Sequence, residues 1–253
     1  MQQSPWPIDA LRARLAAVHP GFAVEVVEEI DSTNTELMRR ARAGSAQPVL
    51  LVAQRQTAGR GRIGRPWQSA QDAAASADAS LTFSMGLPLA PRDWSGLSLA
   101  VGVAVAECLD PDGAGHLALK WPNDLWVDGR KLGGILIETA LPQVAAGPAP
   151  GAGSERYVVI GIGLNIGARD AAGMSVPPAW LREWLPEATP TDVLGALAAP
   201  LLQAVHAFAA HGFVHLAGST KGGKAHADNA VLTLPSQLQP DLARAPISFL
   251  LSA

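Results

Sequence analysis

Gln54-Arg55-Gln56-Thr57-Ala58-Gly59-Arg60-Gly61-Arg62-Ile63-Gly64-Arg65-Pro66-Trp67 follows directly on the apolar run 49–53. The run reads as a buried strand, and the stretch after it packs three glycines and four arginines into one loop. A glycine loop leaving a strand lets backbone N–H groups come close to a phosphate. Guanidinium groups add charge-assisted donors to its oxygens. The stretch therefore reads as a site for a phosphate carried by a small molecule. It is not a Walker loop, because no Gly-Lys-Ser/Thr follows, and its Gly59-x-Gly61-x-x-Gly64 lacks the later acidic residue of a dinucleotide fold. A solvated basic turn is the alternative, and the rest of the chain has to decide between them.

Composition sets outer limits. The chain has 253 residues, 48% hydrophobic and 16% charged, enough for one large domain or a domain with a small appendage. A formal net charge of −3 argues against bulk nucleic-acid binding, which wants a basic excess. A single cysteine, Cys108, forms no internal disulfide, and residues 1–10 have neither the basic start nor the apolar centre of a signal peptide. Both features point to the cytoplasm. The longest apolar run, 97–105, is too short to span a bilayer, and no membrane association is expected.

Residues 8–18 carry Ile8, Leu11, Leu15 and Val18 at helical spacing, ended by His19-Pro20-Gly21. Val24, Val26 and Ile30 suggest a strand. At Asp31-Ser32-Thr33-Asn34-Thr35-Glu36 the period changes, and Thr33 with Glu36 has capping-box spacing for a helix to about Ala43. Ser32, Thr33 and Asn34 either cap that helix, the reading the spacing favours, or turn their side chains to a ligand at the strand-to-helix corner. Residues 68–80 read as a loop. Leu81, Phe83, Met85 and Leu87 alternate as a strand. Residues 94–109 read as a buried helix capped by Asp93 or Ser95, with Cys108 as core rather than nucleophile.

Residues 117–138 are the next informative block, Leu-Ala-Leu-Lys120-Trp121-Pro122-Asn123-Asp124 followed by Asp128-Gly129-Arg130-Lys131-Leu132-Gly133-Gly134. Asp-Gly between short apolar runs signals a two-residue hairpin, which returns Lys131 beside Asn123 and Asp124. Gly133-Gly134 suggests close approach by a ligand or another backbone. In the alternative, Lys120 and Lys131 guard a sheet edge and Asp124 pairs with one of them. Residues 140–155 read as a long hairpin loop and 157–162 as a strand, followed by Gly161-x-Gly163-x-Asn165, where Asn165 could bond a phosphate or a base. Pro190-Thr191 opens a helix through Phe208, with Pro200 expected to kink it.

In order and spacing, Ser32-Thr33-Asn34, Gln56 with the arginine loop to Trp67, Lys120-Trp121-Pro122-Asn123-Asp124 with 131–138, and Gly161-x-Gly163-x-Asn165 together resemble the biotin protein ligases. The resemblance covers roughly residues 30–208. It implies an α+β domain, a mixed β-sheet with flanking helices like the class II aminoacyl-tRNA synthetases and the biotin and lipoate ligases. It also implies a reaction: the biotin carboxylate attacks the α-phosphate of ATP, giving biotinyl-5′-adenylate, and a lysine of a biotin carboxyl carrier protein or biotin-dependent carboxylase then takes the acyl group. No enzyme nucleophile is needed, only positioning and charge stabilisation.

By the same resemblance, Ser32, Thr33, Asn34, Gln56, Gly133 and Gly134 would line the biotin pocket. Arg60, Arg62 and Arg65 would fold over the adenylate, with Arg62 on its phosphate and Trp67 stacked near the adenine. Lys131 would sit at the biotin carboxylate and bridging phosphate oxygen. Asn123 and Asp124 would place Mg²⁺ or the incoming amine, Asp124 being the metal ligand, and Asn165 would contact the nucleotide.

Too few residues precede Ser32 for the helix-turn-helix that repressor members carry, so operator binding is not expected. Residues 1–211 read as the catalytic domain. Residues 212–253, with Lys221-Gly222-Gly223-Lys224, lack the Trp- and Arg-rich entry of the family's small SH3-like domain and read as a divergent or truncated segment in its place. A sheet edge of the catalytic domain offers a way to pair two copies into a homodimer. Two other functions compete: a lipoate or octanoate ligase of the same fold, and a nucleic-acid-binding module built on the arginine loop.

Overall fold

The computed structural model describes residues 6–67, 78–111, 117–141, 155–171, 174, 176–212 and 231–233. Helix α1 (Ile8–Val18) buries Leu11 and Leu15 and ends where the His19 N–H reaches back to the Leu15 carbonyl at 2.8 Å. Strand β1 (Ala23–Ile30), helix α2 (Thr33–Arg42) and strand β2 (Val49–Gln56) follow, β1 and β2 running parallel. Strand β3 (Ser80–Leu89) returns antiparallel to β2. Beyond helix α3 (Leu97–Leu109) come β4 (Ala118–Lys120), β5 (Asp124–Val127), β6 (Arg130–Ala140) and β7 (Arg156–Asn165), and helix α4 (Pro190–His211) lies after them. Strand β8 (Val231–Thr233) pairs with β4. The sheet order is β1-β2-β3-β7-β6-β5-β4-β8, with β1–β2 its parallel pair among otherwise antiparallel neighbours. The expected mixed α+β architecture is what forms.

The two faces of the sheet are built differently because strand side chains alternate. Leu50 and Val52, Leu81 to Leu87 in alternation, and Val158, Ile160, Ile162 and Leu164 face one large core with α1, α3 and α4. Leu37, Met38 and Ala41 of α2 cover only part of the opposite face, with Val49, Leu51, Tyr157 and Val159. The remainder of that face carries small and polar residues, and the candidate site occupies it. Helix α4 is 22 residues long and apolar enough to cross a membrane by length and composition. Its Leu194, Leu197, Leu201, Leu202, Val205 and Phe208 are instead core residues of the domain. Its His206 Nε2 lies 3.3 Å from His19 Nδ1 after α1, and burial lowers the pKa of His206.

Three expectations about elements shift. Helix α3 begins at Leu97, not Trp94, with Gly96 (φ 89°) as N-cap. Asp93 instead accepts from the Ser95 N–H at 2.8 Å, so neither residue caps the helix. Strand β7 runs on through Asn165, so both glycines of Gly161-x-Gly163 lie inside the strand rather than after it. The α2 cap is Ser32, whose Oγ accepts from the Thr35 N–H, while Glu36 pairs with Arg39 and Arg40 instead of reaching back to close a capping box. Cys108 is core as expected: burial, then the neighbouring Glu107, pushes its thiol up to about 11. Glu107 itself is largely buried, Oε1 has no partner among the described residues, and burial raises its carboxyl to about 7. The loop at 68–80 lies outside the described residues as far as 77, and 140–155 lies outside them from 142 to 154. The same holds for the tail 212–253 apart from Gly212 and β8.

Candidate ligand and acyl-transfer site

The deepest part of the site forms where β1 turns into α2. Ser32, Thr33, Asn34, Gln56 and Ser84 are all buried polar residues, and such groups must find partners or cost stability. Gln56 at the end of β2 accepts two bonds from Thr33 through Oε1, from the backbone N–H at 2.7 Å and from Oγ1 at 3.1 Å. Ser84 Oγ on β3 stands 2.6 Å from both Thr33 Oγ1 and Asn34 Oδ1. Asn34 Nδ2 then donates to the Leu136 carbonyl at 3.2 Å and to Glu138 Oε2 at 3.0 Å. Thus Ser32 caps the helix, as the spacing favoured, while the side chains of Thr33 and Asn34 turn inward to Gln56, Ser84 and Glu138.

The arginine loop closes on itself. Trp67 N–H bonds the Gly59 carbonyl at 2.8 Å and Gly61 N–H the Arg65 carbonyl at 2.7 Å, while Ile63 (φ 57°) and Gly64 (φ 69°) turn the tip. A β-carbon at Gly59 would lie 2.5 Å from the Trp67 carbonyl oxygen, so the closure requires glycine there. The arginines do not converge. Arg60 leans to Glu138 on β6 and Thr35 on α2, Arg62 reaches Asn123 Oδ1 at 3.3 Å, and Arg65 is exposed at the rim. Trp67 lies over Gly163, where a β-carbon would come within 2.5 Å of its ring, and the Arg169 guanidinium sits 5.6 Å from the ring centroid. The Trp67 Nε1 is buried without a partner among the described residues.

At the other end of the site, Asp128 (φ 48°) and Gly129 (φ 75°) make the tight turn that joins β5 to β6. It returns Lys131 so that Nζ lies 2.8 Å from Asp124 Oδ1, a pair that is half-buried. Asn123 anchors alongside, donating to the Ile135 carbonyl at 2.9 Å. Gly134 opens onto this pair: a β-carbon there would lie 3.5 Å from Asp124 Oδ1 and 3.7 Å from Lys131 Nζ. Gly133 faces away, toward Leu164 and the Gly163 carbonyl of β7. Lys120 is turned aside, with its ammonium 3.9 Å from the Trp126 ring centroid.

Asn165 is placed differently from the expected nucleotide contact. It is buried, its amide donates to the carbonyls of Lys131 (3.2 Å) and Ala179 (2.9 Å), and its oxygen accepts from Arg169 at 2.7 Å. It holds the backbone of Lys131 instead of facing open space. Among the described residues no group of three or more His, Cys, Asp or Glu side chains gathers for a metal. Asp124 beside Lys131 is a single carboxylate, the number Mg²⁺ accepts when phosphates and water fill its other positions. Ser84, Glu138 and Arg169 join the site through contacts with residues distant in sequence. Ser84 alone carried a signal, as a polar residue inside a strand whose alternate positions are apolar.

Comparison with known proteins finds the same fold and similar sequences. Residues 26–149 match the profile of the Biotin/lipoate A/B protein ligase family. The chain is 38% identical over 170 residues to the biotin–[acetyl-CoA-carboxylase] ligase of Mycobacterium tuberculosis, covering 63% of this chain and 56% of that one. It is 35% identical over 181 residues to the bifunctional ligase/repressor BirA of Escherichia coli, covering 70% and 51%. The chain thus spans about half the length of the curated relatives it matches. Its fold matches the biotin protein ligase of Aquifex aeolicus in complex with biotin and ATP, with TM-score 0.59 at 26% identity over 77% of this chain and 75% of that one. The Leishmania major biotin protein ligase in complex with biotinyl-5-AMP gives TM-score 0.51 at 27% identity over 72% and 74%. By sequence and by fold alike, the domain this chain carries is similar to those of the biotin/lipoate A/B protein ligase family.

Proposed function

We propose that this chain ligates biotin to a lysine of a biotin carboxyl carrier protein in two steps at this one site, consuming ATP. In the first, a biotin carboxylate oxygen bonds to the α-phosphorus and the bond to the β-phosphate oxygen breaks, releasing pyrophosphate. In the second, the carrier lysine amine, having lost a proton, attacks the acyl carbon of the mixed anhydride and AMP leaves. The observation that carries this reading is the Lys131–Asp124 pair beside Asn123, with Arg62 reaching across from the glycine loop to the same asparagine.

The parts divide the work by position. The Thr33, Gln56 and Ser84 cluster offers buried, mutually fixed donors and acceptors to a small polar ring, as a specific pocket requires. Lys131 supplies a cation where negative charge develops on the acyl phosphate in both steps. Arg62 reaches from the loop to Asn123 and Arg60 to Thr35 and Glu138, on separate sides of the site, and Trp67 walls it over Gly163. The single Asp124 carboxylate suits Mg²⁺ brought in by the nucleotide rather than a resident metal, and Asp124 is also placed to accept a proton from the incoming amine. Dependence on ATP is in keeping with a cytoplasmic setting.

Biotin-dependent exchange of labelled pyrophosphate into ATP tests the first step, with lipoate in a parallel reaction. Exchange with biotin alone supports this reading. Exchange with lipoate alone assigns the chain to the lipoate branch of the same family, and exchange with neither contradicts both.

A further inference from the structure

Glu138 belongs to neither the ring pocket nor the Lys131–Asp124 pair, yet its carboxylate joins Asn34 of α2 to Arg60 of the glycine loop. It stands on β6, and Arg60 reaches it through one guanidinium nitrogen, at 3.3 Å from Oε1 and 3.0 Å from Oε2. The Arg60 Nε donates at the same time to Thr35 Oγ1 on α2, at 2.9 Å. From the opposite side Asn34 Nδ2 donates to Glu138 Oε2 at 3.0 Å. Asn34 cannot drift, because Ser84 holds its oxygen and the missing side chain of Gly161 makes the space that oxygen fills. An exposed ion pair alone contributes little. Here one partner is fixed by a buried network, so the carboxylate defines a place for the guanidinium instead of following it.

We propose that Glu138 is the positioning residue for Arg60: it holds the first arginine of the glycine loop at the mouth of the pocket before substrate arrives. An arginine on such a loop otherwise samples many rotamers, and ordering it during the reaction costs rate. A preset guanidinium meets the developing charge without reorganisation. The inference rests on the ligase reading for its effect on rate, but not for its effect on the loop.

Two measurements test it on the full chain. Without substrates, trypsin should cut within residues 60–65 about fivefold faster in Glu138→Gln than in wild type, at an unchanged unfolding midpoint, since local opening sets such cleavage. Equal cutting rates overturn the proposal whether or not the protein is a ligase. In biotin-dependent pyrophosphate exchange, Glu138→Gln should lose about tenfold in kcat/KM for ATP while retaining biotin affinity, and Glu138→Asp should recover part of the loss. The double variant with Arg60→Ala should fall no further than Arg60→Ala alone, because a residue acting through another does not add to its loss. Additive losses, or a fall in kcat that only tracks the folded fraction, overturn the proposal. A wild type with no exchange removes the ligase reading, and the tryptic comparison then decides the role of Glu138 by itself.

Discussion

Asn34 occupies the space that a side chain at Gly161 would need: a β-carbon on that glycine would overlap the Asn34 side-chain amide. Helix α2 and strand β7 therefore approach each other only because position 161 is bare, and the buried bonds of Asn34 to Ser84 and Glu138 depend on that approach. Gly161→Ala should displace Asn34 and cost about 2–3 kcal/mol, the sum of overpacking and broken buried hydrogen bonds. Urea unfolding measures the loss. Biotin binding, followed by calorimetry, should weaken with it, because Thr33 and Ser84 share the network.

Lys131→Met should separate stability from chemistry. Its pair with Asp124 is half-exposed, so the folded state should lose less than about 1 kcal/mol. Adenylate formation should fall by about two to three orders of magnitude, the usual consequence of removing a charge-stabilising group. Rapid-quench measurement of biotinyl-adenylate, together with thermal unfolding, checks both parts.

Asn165→Ala predicts the opposite pattern. The side chain holds the Lys131 and Ala179 carbonyls and is buried, so its loss should cost about 2 kcal/mol of stability. The KM for ATP should move less than kcat, since Asn165 acts by placing Lys131. A change confined to the KM for ATP would instead restore the direct nucleotide contact that the sequence suggested.

The sequence made much of this legible because its strongest signals are local. Asp128-Gly129 dictates a two-residue turn, and that turn returns Lys131 to the side of Asp124. Apolar spacing gave α1 its bounds, and the alternation Leu81 to Leu87 gave β3. What escaped is what depends on distant partners. Glu138 became a site residue only because α2 and the arginine loop meet β6, more than seventy positions away in sequence. Asn165 carries side-chain chemistry suited to a nucleotide, and only the arrival of the Lys131 and Ala179 carbonyls commits it elsewhere. The capping-box spacing of Thr33 and Glu36 misled by one residue, because Gln56 claims Thr33 and leaves Ser32 to cap.

Glu107 predicts a pH dependence unrelated to the site. Burial raises its folded pKa to about 7 from an ordinary 4.5. The folded state then binds the proton more tightly than the unfolded chain, so stability falls as pH rises from 4.5 through 7. Glu107→Gln should remove that fall, exceeding wild type by about 2 kcal/mol at pH 8 after allowance for partial exposure, with the difference vanishing near pH 4.5. Parallel unfolding curves across this window would show a carboxylate already ionised in the fold.

The most direct test of the central claim is the intact mass of a biotin-carrier domain after incubation with this protein, ATP, Mg²⁺ and biotin, against a parallel incubation with lipoate. The account predicts one added biotinyl group, on a single lysine, in the biotin incubation only. An unmodified carrier with no biotinyl-adenylate in the mixture, or a carrier that gains mass only with lipoate, would contradict it.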